Sequence, residues 1–410
     1  MPRASGYTPP MSEIGTDRTP PGSNTAEGTG SVASASASAS ASASASASAS
    51  ASASASAAAN PPASDSRGDS ANASASTSRA GSTAGVSGAA APPAERDPAS
   101  PPLGVATWPS WLAAGVLSLL GGLPNGVRHA LARAAATLAM RTGARARRRL
   151  DINLQACFPE LDADGRRAFE RRYRTALFDA VLRAPLLWWG SPARLERHTR
   201  FDGKAHLDEA LASGRPVVLL VSHTVALDGG MISMSPRYPL QGFYKPFPNP
   251  VLDWLVRRTR TRFGGHPVAR GKGFRAMIKG LRSGKLLCYL SDEDLGAEGS
   301  VFAPFFGHAK ATLAMLPRIV RATDALVVPM ATYYDHRSGA YEVRFEAPLA
   351  PYPSDDPIAD ATRMNAAIER SVRERPEQYL WKLALFRTCP DGGVSRYQQI
   401  LDGRLTPSGL

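Results

Sequence analysis

His223 and Asp228 stand five residues apart in Val221-Ser222-His223-Thr224-Val225-Ala226-Leu227-Asp228-Gly229-Gly230, just after the apolar run 216–222. Histidine suits proton transfer near neutral pH, and a carboxylate beside it fixes the tautomer and stabilises the imidazolium. Such a pair deprotonates a hydroxyl, which by itself is a poor nucleophile. On spacing alone the motif is weak, because H-x-x-x-x-D arises often by chance and an isolated histidine at a strand end is more often structural. A second group is the basic run Arg257-Arg258-Thr259-Arg260-Thr261-Arg262. Guanidinium forks there would hold phosphate or carboxylate groups, unless the run is only a solvated basic face. Asp292 and Asp294 follow the apolar run 286–290 and read either as site-lining carboxylates or as ordinary turn residues. Cys157, Cys288 and Cys389 lie far apart, without C-x-x-C spacing or a nearby histidine cluster, so neither a metal site nor a disulfide framework is expected.

These residues need a scaffold that presents strand ends. The runs 216–222, 285–290 and 325–331 are short, β-rich and bounded by turn formers, as buried strands are. Segments 164–189, 250–262, 274–282, 312–322 and 362–373 carry helical patterns, and 341–345 alternates like a late strand. Strands alternating with helices predict an α/β fold with a mostly parallel central sheet flanked by helices. In such sheets catalytic groups gather at the carboxyl ends of strands, which is where His223 falls.

Upstream the composition changes. Residues 1–100 are rich in Ala, Ser, Pro and Gly, with strict Ala/Ser alternation over 33–57, and read as a disordered leader. Residues 101–150 read as a hydrophobic membrane-associated helix followed by a basic segment, and 151–400 as the catalytic domain. No charged residue occurs from Pro98 to Val127, where Trp108, Trp111, Leu112, Val116, Leu117, Leu119, Leu120 and Leu123 form an apolar run. Pro109 and Pro124 make it borderline for a span, so a membrane anchor that crosses, an in-plane helix and a buried core helix are all open. Arg128, Arg133, Arg141, Arg145 and the run 147–149 follow, and with a net charge of +13 they favour contact with an anionic membrane. Nucleic acid is not expected as a partner, since the basic runs flank an apolar helix and are not interleaved with aromatic residues.

The chain also resembles the bacterial lipid A late acyltransferases, within the lysophospholipid acyltransferase superfamily, over about 108–397. The resemblance rests on ordered matches: Asn153 with Cys157-Phe158-Pro159-Glu160, then His223 and Asp228, then Tyr244-Lys245-Pro246 with Asn249-Pro250-Val251-Leu252-Asp253-Trp254-Leu255. Arg260, Arg262, Met277-Ile278-Lys279-Gly280-Leu281, Asp292, Asp294 and Gly296 continue the series. Pro304-Phe305-Phe306-Gly307, Ala311-Thr312, Pro376-Glu377-Gln378-Tyr379, Trp381 and Ser395-Arg396-Tyr397 complete it. The tail departs from the family, with Trp381-Lys382-Leu383-Ala384-Leu385-Phe386-Arg387 where a histidine and two basic residues are usual. The resemblance implies transfer of a fatty acyl chain from acyl carrier protein to a hydroxyacyl group of a Kdo-bearing lipid A precursor. It places the catalytic domain on the cytoplasmic face of the inner membrane and implies no cofactor and no metal. His223 would be the general base and Asp228 its orienting partner, with Arg260, Arg262, Asp292 and Asp294 binding substrate. Phe302, Phe305 and Phe306 would line an acyl channel or simply fill the core. The alternatives are a superfamily enzyme with another lipid acceptor, such as a lysophospholipid or an amino-acid lipid, and a basic membrane-binding or nucleic-acid-binding protein with a decayed site.

Overall fold

The computed structural model describes residues 100–410, apart from 142–143 and 270–272; the expected leader lies outside the described residues. Two helices come first, α1 (Trp108–Gly121) and α2 (Asn125–Ala139). Pro109 sits in the first turn of α1, where its missing N–H has no intrahelical partner to lose. Next come α3 (Ala144–Cys157), α4 (Ala163–Trp189) and α5 (Pro192–Arg197). Asp162 caps α4 by accepting from Gly165 N at 2.7 Å. Both α1 and α2 pack on α4. Ala132, Ala136 and Ala139 of α2 are buried, while Trp108, Leu112, Val116, Leu119, Leu131 and Leu138 remain exposed. With 14 residues, α1 is about 21 Å long, short of the roughly 30 Å of bilayer hydrocarbon. No helix among the described residues is long and apolar enough to cross a membrane.

The α/β body begins with β1 (Thr199–Asp202), α6 (Lys204–Ala212), β2 (Val217–Val221) and α7 (Leu227–Met234). It continues through β3 (Leu240–Tyr244), α8 (Pro250–Thr261), β4 (His266–Ala269), α9 (Gly273–Arg282) and β5 (Leu286–Leu290). A hairpin of β6 (Ser300–Phe305) and β7 (His308–Leu313) precedes α10 (Leu316–Thr323). The chain closes with β8 (Leu326–Asp335), β9 (Ala340–Phe345), α11 (Pro357–Glu374) and α12 (Arg396–Leu401).

Seven strands form one sheet in the order β1-β9-β8-β2-β5-β3-β4, parallel throughout except for the β8–β9 pair. Central β2 reads Val-Val-Leu-Leu-Val and is buried along its whole length, as a strand covered on both faces must be. The expected mostly parallel sheet is therefore present. One helix differs: the pattern over 312–322 predicts a helix, but Thr312 pairs with Val301 in the hairpin and α10 starts only at Leu316. The hairpin turns at Phe306 (φ 50°) and Gly307 (φ 80°), two consecutive positive φ values of the kind that match the twist of antiparallel strands.

The tail after α11 returns to the end of β2. Val225 N donates to Gln378 O (2.8 Å), Leu380 N donates to His223 O (2.9 Å), and Thr224 bridges to Tyr379. From α3, Asn153 Nδ2 donates to Trp381 O (2.7 Å) and Leu383 O (3.0 Å), and Tyr397 Oη donates to Asn153 Oδ1 (2.6 Å). The buried Asn153 thereby fixes the tail that braces the His223 loop.

Candidate active site

The site grows out of strand register. In the parallel pair β2–β5, Val221 stands opposite Leu290. Two residues further along each chain are His223 and Asp292, so adjacent strands deliver them side by side. His223 Nδ1 lies 2.6 Å from Asp292 Oδ1, and His223 N donates to Asp292 Oδ2, also at 2.6 Å. Both side chains are buried, at 1% and 0% exposure. A carboxylate that accepts from backbone N–H and ring N–H together fixes both the position and the tautomer of the imidazole.

The spacing of the motif pointed to Asp228 as the orienting carboxylate, and here the structure differs. Asp228 lies in the first turn of α7, where its Oδ1 accepts from Arg260 Nε (3.0 Å) and Nη2 (2.7 Å) on α8. The carboxylate on Nδ1 is Asp292, because the sheet places β5 against β2 whereas the turn after Thr224 carries Asp228 onto a helix. Both Asp228 and His223 line the same apolar cavity.

Burial alone would raise the pKa of Asp292, but the charge of His223, its two hydrogen bonds and the charge of Lys310 outweigh it and hold the carboxyl below its usual value. Lys310, on β7, is fully buried and donates to Ser291 O at 2.9 Å. Desolvation lowers its pKa to about 8, against the opposing pull of Asp292, Asp294 and Glu293. Tyr379 is also fully buried, and burial followed by the Asp292 carboxylate pushes its phenol well above the ordinary range. Lys310 is absent from the sequence motifs, and Tyr379 appears there only within Pro376-Glu377-Gln378-Tyr379, without a role. The available signal was a lysine inside the small, otherwise uncharged strand Ala309-Lys310-Ala311-Thr312.

The other expected site residues separate. Arg260 shares the cavity wall with His223. Arg262 turns away and donates to the carbonyls of Trp188 (2.5 Å) and Gly190 (2.6 Å), at the end of α4, whose last carbonyls have no helical partner of their own. Asp294 accepts from Thr388 N and Thr388 Oγ1, each at 2.6 Å, and from Gly296 N at 3.0 Å, tying the loop after β5 to the tail. Phe305 and Phe306 are buried and pack with Phe158, Trp381 and Phe386, the core reading of those aromatics.

Two apolar cavities meet at this point. The first is lined by His223, Met231, Gly242, Phe243, Phe274 and Cys288, among others. The second runs between α1, α4 and α8, past Leu117, Val181, Trp188, Phe247, Leu252 and Val256. Leu227, Asp228, Ile232 and Arg260 line both, so the Asp228–Arg260 ion pair stands at their junction. No cluster of His, Cys, Asp and Glu among the described residues has the arrangement of a metal site. A buried histidine–carboxylate pair beside apolar cavities, with a guanidinium at their junction, has the chemistry to activate a hydroxyl on an amphiphilic, anionic molecule.

Residues 102–388 match the family model described as bacterial lipid A biosynthesis acyltransferase. A lipid A biosynthesis acyltransferase of Haemophilus influenzae is 35% identical over 286 residues, 70% of this chain and 89% of that protein. The lipid A biosynthesis lauroyltransferase of Escherichia coli K12 is 31% identical, covering 71% of this chain and 95% of the relative. The myristoyltransferase of the same organism is also 31% identical, over 71% of this chain and 91% of its own length.

Proposed function

The chain belongs to the bacterial lipid A biosynthesis acyltransferase family, and we propose that His223 and Asp292 are the working pair of its acyl transfer. The chain is an acyltransferase of lipid A biosynthesis. The donor in this reading is acyl carrier protein carrying a fatty acyl thioester, and the acceptor is a hydroxyacyl chain of a Kdo-bearing lipid A precursor.

With Nδ1–H donated to Asp292, Nε2 of His223 is the nitrogen that carries the lone pair. It takes the acceptor hydroxyl's proton as that oxygen attacks the thioester carbonyl. A C–O bond forms, the C–S bond breaks, and the proton passes from the imidazolium to the departing thiolate. Asp292 stabilises the imidazolium and holds the ring, as the carboxylate of a Ser-His-Asp triad does. Arg260, fixed by Asp228, offers its charge to a phosphate or sugar carboxylate of the acceptor. The two apolar cavities take the transferred chain and an acyl chain of the acceptor. Arg262 and Asp294 serve the scaffold.

The exposed apolar residues of α1 and α2 seat the enzyme on the cytoplasmic leaflet of the inner membrane without spanning it. They bury apolar area in the headgroup region while neighbouring arginines face anionic lipid, at about 1 kcal/mol for each basic residue near the surface. The observation that carries the catalytic reading is the buried His223–Asp292 pair on the wall of an apolar cavity. It is tested with purified protein, acyl carrier protein donor and Kdo-bearing precursor, reading product mass. One added acyl chain, lost in His223→Ala, is the expected result. Acylation of a lysophospholipid in its place would overturn the acceptor assignment.

A further inference from the structure

A third cavity, of about 260 Å³, lies between the α1–α2 turn and helices α4 and α5. Arg128, Arg183 and Arg194 line it together with His198, and no carboxylate does. Arg183 is 1% exposed and Arg128 8%, and the Nε–H of each finds no acceptor among the described residues. The terminal nitrogens of each make one hydrogen bond apiece: Arg128 with Gly121 O (2.8 Å) and Asn125, Arg183 with Tyr334 Oη (2.7 Å) and Gly339 O. The nearby carboxylate, Asp179, pairs with His129 at 2.7 Å. Burial and then the charge of Arg183 push the pKa of Arg128 below the ordinary guanidinium value.

The amino end of α2 opens onto the same space. Pro124 and Asn125 line the cavity, Pro124 caps without a side-chain hydrogen bond, and no acidic residue lies in the first turn. Unpaired N–H groups at a helix start form an anion-binding end, and buried guanidiniums with unmet donors call for the same partner. From these features we propose that the cavity is a phosphate-binding site. The phosphate would be that of an anionic lipid headgroup or free phosphate, held by Arg128, Arg183 and the start of α2, with Arg194 at the entrance.

The position matters for the enzyme. The guanidinium of Arg183 lies 5.2 Å from the centroid of the Tyr341 ring. Gly229 of α7 packs so closely on the same ring that an added Cβ would overlap it. Tyr341 also lines the second apolar cavity, so its ring links Arg183 of the phosphate site to that cavity.

The test is thermal unfolding of the purified full chain titrated with inorganic phosphate, with short-chain phosphatidic acid below its micelle concentration, or with the matching phosphatidylcholine. A ligand that binds only the folded state raises the melting temperature, and the rise grows with ligand concentration relative to Kd. Phosphatidic acid should raise it and phosphatidylcholine should not. A rise with inorganic phosphate as well marks recognition of the phosphate group alone; a rise with phosphatidic acid only marks a lipid headgroup site. Arg128→Gln should weaken the response roughly tenfold, the scale of one lost charge-assisted hydrogen bond. Arg194→Gln, on the exposed α5, should weaken it less and covers the case in which Arg128→Gln fails to fold, while Arg171→Gln on the outer face of α4 should respond as the parent does. No rise with either phosphate ligand, or equal rises in all three variants, overturns the proposal.

Discussion

Asp292 and Asp228 make the same kind of bond in different settings. Asp292 is buried with His223 and Lys310 at the junction of two central strands, whereas Asp228 is 39% exposed and its partner Arg260 is 22% exposed, on helices beside an open cavity. A charge taken wholly out of water persists only when every group around it is arranged for it, and removing one member leaves the others uncompensated. A half-exposed ion pair is screened and replaceable. The first setting suits the unvarying chemistry of proton transfer, the second the binding of a substrate that must come and go.

The sharpest way to break this comparison is to remove each side in turn. His223→Ala should lower kcat by about 10² to 10⁴, the usual worth of a general base. Asp292→Asn should lose almost as much, and the double variant should be little worse than either single one, since base and orienter act as a unit. Initial rates with acyl carrier protein donor and lipid acceptor measure all three. Asp292→Asn with near-parental kcat would return the orienting role to Asp228.

A smaller effect is expected at the ion pair. Asp228→Asn and Arg260→Ala should act chiefly on the apparent affinity for the acceptor, by about tenfold, as the loss of one charged contact to phosphate implies. Arg260→Lys should recover part of that, because a lysine supplies the charge but not the fork. If Asp228→Asn lowers kcat as far as Asp292→Asn does, the two carboxylates are not divided between chemistry and binding.

The way each carboxylate emerged from the sequence follows the same division. The β2 and β5 runs, helices α4, α8 and α9 and the strand-end position of His223 were legible, because apolar period and turn residues are local signals, while the shorter α5, α6 and α7 were not. The Asp292 contact was not. It depends on which strands become neighbours, and β2 and β5 are separated in the chain by two strands and three helices. Once that adjacency is known, register alone sets residue 223 beside 292. Asp228 stood out because it is close in sequence, but a helix start intervenes and turns it toward Arg260. The role of Arg262 was hidden for a related reason: its partners are main-chain carbonyls of α4, which no side-chain pattern announces.

Lys310 gives the finest test of the buried half of the comparison. Its ammonium faces Asp292, Glu293 and Asp294 from the loop after β5, the carbonyl of Ser291, Thr312 on its own strand and the ring of Phe305 on β6. While protonated it opposes a second positive charge nearby, so it disfavours the imidazolium of His223. Lys310→Met removes that opposition, and the pKa of His223 should rise. The acid limb of the pH–rate profile should then move to higher pH. Lys310 itself releases its proton at about pH 8, so parent and variant should diverge below that pH and converge above it. A uniform loss of rate with the limb unmoved would assign Lys310 to holding the Ser291 carbonyl alone, and the charge argument for the buried cluster would fail.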